Sequence, residues 1–196
     1  MEVSCFELGD AWGWSLHDVR HADAELQHTV VGLCSERLGC HLGAEVHVVA
    51  GGSEKAQRAE ELGAALVVDY KADAAWHKPL LAATDRRGYD VVVDNVGRAT
   101  WKQSLRLAGI GGRIVTVGNT SGPLAETDIR FIFSRQLSIL GSTMGSHSDF
   151  AAVLELLAQG ALKPLIHCEL PLSEGARGHE ILEQGEMFGK VVLRPD

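Results

Sequence analysis

The sequence has few of the features that build metal sites, disulfide frameworks or membrane spans. Its 4 cysteines are scattered and form no C-x-x-C pair, so neither a zinc knuckle nor a disulfide framework is indicated. The 9 histidines show no H-E-x-x-H spacing, and we predict no metal site built by the protein. Long apolar runs are missing as well, since none approaches the roughly 20 residues of a membrane-spanning helix.

Positive charge is also scarce. The chain has 18 basic and 26 acidic residues and a formal net charge of -8, which argues against an extended nucleic-acid surface or a polybasic membrane patch. The first residues lack the basic start and apolar core of a signal peptide, so we expect a cytoplasmic protein without nucleic-acid or membrane partners. At 196 residues and 45% hydrophobic composition, the chain can bury the core of one domain.

Alternating strands and helices are what the sequence does contain, most clearly in residues 42–70. A β-branched run at 46–49 predicts a strand, and Ser53 is placed to cap the helix that follows. Gly63 can close that helix in a left-handed conformation, and the apolar residues 65–69 predict a second strand. Two apolar strands joined by one helix form a βαβ crossover, so we expect them to be parallel neighbours in a sheet covered on both faces.

The same alternation continues towards the carboxyl end. It predicts a helix broken at Pro79, a helix reaching Ala108, a short helix capped by Asp128, and a longer helix capped by Ser148. That last helix is expected to bury Phe150, Val153, Leu154 and Leu157. The fold class is therefore α/β, with a Rossmann-like doubly wound, mostly parallel sheet and helices on both faces. The further predicted strands are 90–94, 114–117, 137–140, 166–170 and 190–193, of which the last is expected to close the sheet.

Small or polar residues follow each predicted strand. In an open parallel sheet, ligands bind beyond the carboxyl ends of the strands, where glycines let the backbone approach phosphates or ribose. Alternatively, each glycine merely turns the chain. The residues in these positions are Gly51, Gly52, Ser53, Tyr70, Asn95, Val96, Gly118, Asn119, Gly141, Ser142 and Thr143.

The end of the second strand indicates which nucleotide such a site would prefer. Dinucleotide folds usually place a carboxylate there for the ribose hydroxyls, whereas this strand ends in Val49, Ala50 and Gly51. Lys55 and Arg58 follow on the first turns of the helix, which favours a 2′-phosphate and therefore NADP(H) over NAD(H). The alternative is a solvated helix face, with these cations paired to nearby glutamates.

Eight sequence blocks carry a family resemblance over residues 42–193. They are LGAEV, GGSEKAQRAEELGA, DVVVDNVG, GGRIVTVGNTSG, RQLSILGSTMGS, GALKPLI, LPLSEG and FGKVVL, in this order. The chain resembles the cofactor-binding half of the medium-chain dehydrogenase/reductase superfamily, nearest its zinc-type alcohol dehydrogenase and quinone oxidoreductase branch. The resemblance implies that Lys55 lies near the 2′-phosphate and Tyr70 beside the adenine ribose. It implies that the nicotinamide half is lined by Asn95, Val96, Gly118, Asn119, Gly141 and Ser142, with Phe188 and Lys190 closing over it.

The chain departs from that family pattern in two ways. Residues 1–41 show no separate β-rich catalytic domain, and the expected central strand falls on residues 20–26, a poor strand by composition. The final glycine of the pyrophosphate loop falls on Gly32, while residues 27–30 lack the expected glycines. Periodicity leaves open whether 26–31 is a strand or 29–32 is a loop leading into a helix over 33–42.

These observations predict two domains and three possible functions. Residues 1–41 form a divergent segment that could be a degenerate first strand, loop and helix, and residues 42–196 form the dinucleotide-binding domain. The first function is an NADP(H)-dependent oxidoreductase, present as its cofactor-binding domain and inactive alone, which could form a homodimer through an edge strand at 137–140 or 190–193. The alternatives are a non-catalytic degenerate Rossmann module for folding or oligomerisation, and an unrelated nucleotide binder on the same fold.

Overall fold

A six-stranded parallel sheet is the centre of the computed structural model, which describes residues 24–27, 38–184 and 187–195. Its strands are β1 Ala24–Gln27, β2 Val46–Ala50, β3 Leu66–Asp69, β4 Tyr89–Asp94, β5 Ala108–Thr116 and β6 Ser138–Gly141. Their order is β3-β2-β1-β4-β5-β6, and every neighbouring pair is parallel. This is the order of a doubly wound Rossmann sheet, so the predicted fold class is confirmed.

Helices cover both faces of this sheet. Val91 and Val93 of β4 pack in one apolar cluster with Ala59 and Leu156, which lie on two different helices. Val92 packs in a second cluster on the opposite face. Alternate residues of a strand point to opposite faces, so an unbroken valine run is expected where both faces are buried. The helices are α1 Ser53–Glu61, α2 His77–Ala83, α3 Trp101–Leu107, α4 Ile129–Arg135, α5 His147–Ala158 and α6 Gly175–Gln184.

The central strand is β1. Ala24 is paired with Val46 on β2 and with Val91 on β4, so residues 24–27 lie between the two halves of the sheet. The predicted central strand at 20–26 overlaps this position. Residues 38–41 are helical, as expected if a loop leads into a helix there, but the predicted loop at 29–32 lies outside the described residues.

The last two strands form a separate sheet. β7 Ile166–Pro171 and β8 Lys190–Arg194 pair in parallel, connected by a 3-10 turn at Leu172–Glu174 and by α6. The prediction that 190–193 closes the main sheet is therefore wrong. A parallel pair needs a crossover of a dozen or more residues, which the segment 172–189 supplies, so β8 pairs with β7. Within the described part of the chain, the outer strands of the six-stranded sheet are β3 and β6.

Several predicted helix caps differ from the structure. Gly52, not Ser53, is the N-cap of α1, with a φ of 109° that glycine adopts at little cost. Ser146, not Ser148, caps α5, because its hydroxyl accepts from the Asp149 N–H while the Asp149 carboxylate accepts from the Ser146 N–H. The cap at Asp128 is confirmed.

Among the other local predictions, that for Gly63 agrees with the structure, and those for the following residues differ from it. Gly63 has a φ of 107°, in agreement with the prediction that it closes α1. The predicted break at Pro79 is not seen, because Pro79 is the third residue of α2, where no helical hydrogen bond needs its missing N–H. Ala108 begins β5, so the prediction of a helix that reaches Ala108 is wrong. Phe150 and Leu154 of α5 are 61% and 46% exposed, so the predicted burial of these two side chains is wrong.

A buried polar contact joins the two halves of the sheet, away from the carboxyl ends of its strands. His47 on β2 has its Nδ1 2.7 Å from the hydroxyl of Tyr89 on β4, and that hydroxyl donates to the Leu80 carbonyl at 3.2 Å. The His47 Nε2 lies 3.0 Å from a carboxylate oxygen of Glu45. Because β1 runs between β2 and β4, this contact spans the central strand.

Candidate functional site

The parallel order brings the predicted ligand residues to one edge of the sheet, which we call the rim. Each of them lies at or just beyond the carboxyl end of a strand, except Lys55, in the first turn of α1, and Phe188 and Lys190, which lie before and at the start of β8 in the second sheet. Two parts of the rim differ in character. The β2–β3 side comprises residues 51–55 and 69–72, and the β4–β5 side comprises residues 94–100 and 117–122.

Asp69, the last residue of β3, organises the β2–β3 side. Its Oδ1 accepts from the backbone N–H of Gly52 and from that of Lys71, both at 2.9 Å. The hydrogen bond from Gly52 and then that from Lys71 lower the pKa of the Asp69 carboxyl, because they stabilise its charged form. One carboxylate therefore holds the N-cap of α1 next to the segment that follows β3.

Two lysines come together at this position. Burial lowers the pKa of the Lys55 ammonium, and the positive charge of Lys71 lowers it further, while Glu54 opposes the shift. Lys55 and Lys71 thus form a region of positive charge at the N-terminus of α1, which itself favours anions. Lys71 was not among the predicted ligand residues, although it directly follows the predicted ribose contact Tyr70.

Arg58 does not join these lysines. Its guanidinium forms an ion pair with Glu54 at 3.1 Å, one turn away on α1, and lies 5.3 Å from the ring centroid of Phe188. For Arg58 the structure favours the alternative of a glutamate-paired helix face. Phe188 thus contacts α1 through Arg58, and Lys190 begins β8 with an exposed side chain. Their closing over the nicotinamide half stays a prediction.

Asp94, the last residue of β4, organises the β4–β5 side. It is fully buried, and its carboxylate accepts from the backbone N–H of Val96 and Gly97 at 3.0 and 2.9 Å. The hydroxyl of Thr100, just before α3, donates to it at 3.1 Å, and the hydroxyl of Ser104, on α3, donates to it at 2.7 Å. A buried carboxylate is stable only when such donors replace water, and here they fix the loop that carries Asn95 and Val96.

Ser121 connects this loop to the one that follows β5. Its hydroxyl donates to the Val96 carbonyl at 2.6 Å and accepts from the Ala99 N–H at 2.9 Å. The two loops also pack closely, since a Cβ on Gly118 would lie 2.9 Å from the Asn95 carbonyl oxygen. Gly118 therefore cannot be enlarged without moving one of the loops.

Open space lies above other rim glycines. Among the residues that the structure describes, a Cβ added to Gly52 or to Gly141 would have no neighbour within 4 Å, whereas one added to Gly51 would lie 2.6 Å from the Tyr70 hydroxyl. The Tyr70 side chain is thus packed over Gly51 while 48% of the residue is exposed. These positions leave room for a ligand to approach the backbone at Gly52 and Gly141, which fits a nucleotide cofactor.

The described residues provide neither a metal site nor a membrane span. In residues 24–27, 38–184 and 187–195, no group of three or more histidine, cysteine, aspartate and glutamate side chains could hold a metal ion. Over the same ranges no helix is long and apolar enough to cross a bilayer. The cytoplasmic location stays a prediction.

Known proteins resemble the chain over most of its length. Residues 30–159 match the family described as zinc-binding dehydrogenase. The quinone oxidoreductase of Pseudomonas aeruginosa is 28% identical over 191 residues, which cover 91% of this chain and 58% of that protein. The acryloyl-coenzyme A reductase of Metallosphaera sedula is 28% identical over 165 residues, which cover 83% of this chain and 47% of that protein.

Solved structures show the same fold. An NAD-dependent alcohol dehydrogenase superposes with a TM-score of 0.83 at 36% identity, covering 90% of this chain and 52% of that one. The alcohol dehydrogenase of Aeropyrum pernix superposes with a TM-score of 0.81 at 29% identity, covering 89% and 50%.

Two conclusions follow from these comparisons. The chain spans about half the length of the relatives it matches, and the zinc that the family description implies finds no fitting donor set in the described residues. The chain belongs to the zinc-binding dehydrogenase family, and it corresponds to the cofactor-binding half of the medium-chain dehydrogenase/reductase superfamily.

Proposed function

We propose that this chain is the NADP(H)-binding part of an oxidoreductase of the alcohol dehydrogenase, quinone reductase or enoyl reductase type. Its relatives include proteins named for each of the first two activities and an acryloyl-coenzyme A reductase. The dinucleotide-binding domain would comprise residues 42–196, with β1 completing the centre of its sheet.

The observation that carries the NADP(H) preference is the pair of lysines beside the N-terminus of α1. Lys55 and Lys71 supply two positive charges where β2 ends without a carboxylate, and a ribose 2′-phosphate would bring the matching negative charge. Gly52 and Ser53 would supply backbone contacts there, and Tyr70 would lie beside the ribose. One similar structure is of a protein described as NAD-dependent, so the preference needs a direct test.

The β4–β5 side would receive the nicotinamide half. Asn95, Val96, Gly118 and Asn119 lie in loops that are already hydrogen-bonded to each other, and Gly141 and Ser142 extend the same edge after β6. We also propose that Phe188 and Lys190 contact the cofactor, and the contact between Phe188 and Arg58 brings Phe188 to the helix that carries Lys55.

The chain's own residues would bind and orient the cofactor. When bound, reduced nicotinamide supplies a hydride from its C4 to a carbonyl, quinone or enoyl acceptor, which then takes up one proton. We propose that the acceptor pocket and the proton donor come from the part of the relatives that this chain does not match, or from another chain. The 196 residues alone would then bind cofactor without turnover, since the reacting partner is not held in place.

Fluorescence titration with NADPH and NADH tests this proposal. We expect saturable NADPH binding, which Lys55→Ala weakens about 10- to 100-fold while NADH binding changes little, because a hydrogen bond to a charged group contributes about 1.5–3 kcal/mol. Lys163→Ala, at an exposed lysine before β7, is the matched control. Absence of binding at millimolar concentrations of either nucleotide would refute the proposal and leave the non-catalytic module. Equal weakening of both nucleotides by Lys55→Ala would refute the 2′-phosphate assignment.

We also propose a homodimer formed through β6. This strand is an outer strand of the six-stranded sheet in the described residues, and Ile139 on it is 39% exposed. An apolar edge strand with unpaired backbone groups tends to pair with a copy of itself. Light scattering is expected to give a dimer mass, and Ile139→Lys is expected to give a folded monomer because charge opposes edge pairing. A wild-type monomer at high concentration would exclude this dimer.

A further inference from the structure

The loop after β4 is held from below by Asp94 and from the side by the loop after β5. Asp94 fixes the N–H groups of Val96 and Gly97, while the Val96 carbonyl accepts both the hydroxyl and the backbone N–H of Ser121, at 2.6 and 2.9 Å. Val96 is therefore bonded on both of its backbone polar groups. A residue held in this way cannot shift to meet a ligand, so its position is set before any ligand arrives.

The contact between the two loops extends beyond Val96. The Arg98 N–H donates to the Gly122 carbonyl at 3.3 Å, and the Gly122 N–H donates to the Asn119 carbonyl at 2.8 Å. A Cβ on Gly97 would lie 3.1 Å from the Gly122 carbonyl oxygen and from the Asn119 Cα. The Ser121 hydroxyl bridges the two loops, because it donates to the Val96 carbonyl and accepts from the Ala99 N–H.

We infer that Ser121 is a positioning residue for the nicotinamide half of the cofactor, because its hydroxyl fixes the loops after β4 and β5 as one preformed surface. This inference rests on the proposed dinucleotide function. Ser121 need not touch the cofactor, since it acts through Val96, to which its hydroxyl and its backbone N–H are bonded. Its loss is expected to affect the nicotinamide half of the ligand and to leave the adenosine half unchanged, since the β2–β3 side is held separately by Asp69.

Comparing NADPH with adenosine 2′,5′-bisphosphate, which lacks the nicotinamide half, tests this inference. We expect Ser121→Ala to weaken NADPH binding about tenfold, because two hydrogen bonds of the hydroxyl are lost. Binding of adenosine 2′,5′-bisphosphate is expected to stay within about twofold of the wild-type value. Ser121→Thr keeps a hydroxyl and is expected to retain most of the NADPH affinity. Ser134→Ala removes a hydroxyl-to-carbonyl hydrogen bond on α4 and serves as the matched control.

Three outcomes would count against Ser121. Unchanged affinity of Ser121→Ala for both ligands would overturn the inference, and so would an equal loss for both, which would indicate a general structural role. If Ser121→Ala fails to fold, a Ser121→Thr variant that folds but binds NADPH no better than the bisphosphate would overturn it as well. Failure of the proposed function looks different, because wild-type protein would then bind neither ligand.

Discussion

Each side of the rim is held by one aspartate at the end of a strand, but the two aspartates have different surroundings. β3 and β4 both end in an aspartate, and each aspartate accepts backbone N–H groups from the loop beyond its strand. Asp69 is partly exposed and lies in a region that contains Lys55 and Lys71, whereas Asp94 is fully buried and surrounded by neutral hydroxyls. The β2–β3 side is therefore suited to recognise charge, and the β4–β5 side is suited to present a fixed shape.

Burial determines how much each aspartate contributes to stability. Water can partly replace a hydrogen bond lost at the partly exposed Asp69, whereas it replaces one lost at the fully buried Asp94 much less well. We therefore expect changes on the β4–β5 side to affect the free energy of unfolding, and changes on the β2–β3 side to affect ligand preference. Single substitutions on the two sides of the rim test that division.

Asp94→Ala is expected to lower the free energy of unfolding by about 3 kcal/mol or more, since several buried donors lose a charged acceptor at once. Urea unfolding measures the loss. Asp90→Ala, at an exposed residue near the start of the same strand, is expected to lose less than about 1 kcal/mol. Equal losses for the two variants would contradict the role given to the buried network.

Tyr89→Phe removes the hydroxyl that joins β2 to β4 beneath the rim. We expect a loss of about 1–3 kcal/mol in the free energy of unfolding, because the buried His47 Nδ1 and the Leu80 carbonyl both lose their partner. Adenosine 2′,5′-bisphosphate affinity should stay the same, since the contact lies away from the rim. A variant as stable as the wild type would show that this contact does not hold the two halves together.

Lys71→Ala is expected to weaken NADPH binding about two- to fivefold and to leave NADH binding unchanged, because an exposed charge contributes about 0.2–1 kcal/mol. The effect should shrink as salt is added. Lys78→Ala, at an exposed lysine on α2, is the control. A loss that is the same for both nucleotides would place Lys71 outside the 2′-phosphate site.

Asp69 should make stability depend on pH at the acid end. Because hydrogen bonds lower its pKa in the folded state, its contribution is fully present above about pH 4 and is lost as pH falls through the lowered folded-state pKa. The difference in urea midpoint between wild type and Asp69→Asn should therefore be larger at pH 7 than at pH 3. A difference that grows on acidification would reverse the assigned sign.

Most strands of the sheet were predictable because they leave a local pattern, whereas β1, with the sequence AELQ, does not. The valine run of β4 and the β-branched run of β2 indicate burial on both faces without reference to the rest of the chain. The caps at Ser53 and Ser148 were misplaced because a serine near a helix start fits several positions equally well, and only the partner at Asp149 selects Ser146.

Other features could not be found from local sequence. The apolar spacing of α5 shows that Phe150 and Leu154 share a face, but not that this chain covers that face. Asp69 binds Gly52, 17 residues away, and Ser121 binds Val96, 25 residues away, so their roles depend on the order of the strands. For the carboxylates, the signal that could have suggested a role is an aspartate as the last residue of a predicted strand, as at Asp69 and Asp94.

Backbone amide chemical shifts during titration with NADPH test the central claim most directly. The claim is that one dinucleotide lies along the carboxyl edge of the sheet and contacts both sides of the rim. We predict saturable shifts at Gly52 and Lys71 and also at Val96 and Gly118, with none at Gly88, which directly precedes β4 at the opposite edge. No shifts at saturating NADPH, or shifts centred on Gly88 with the rim unchanged, would contradict the account.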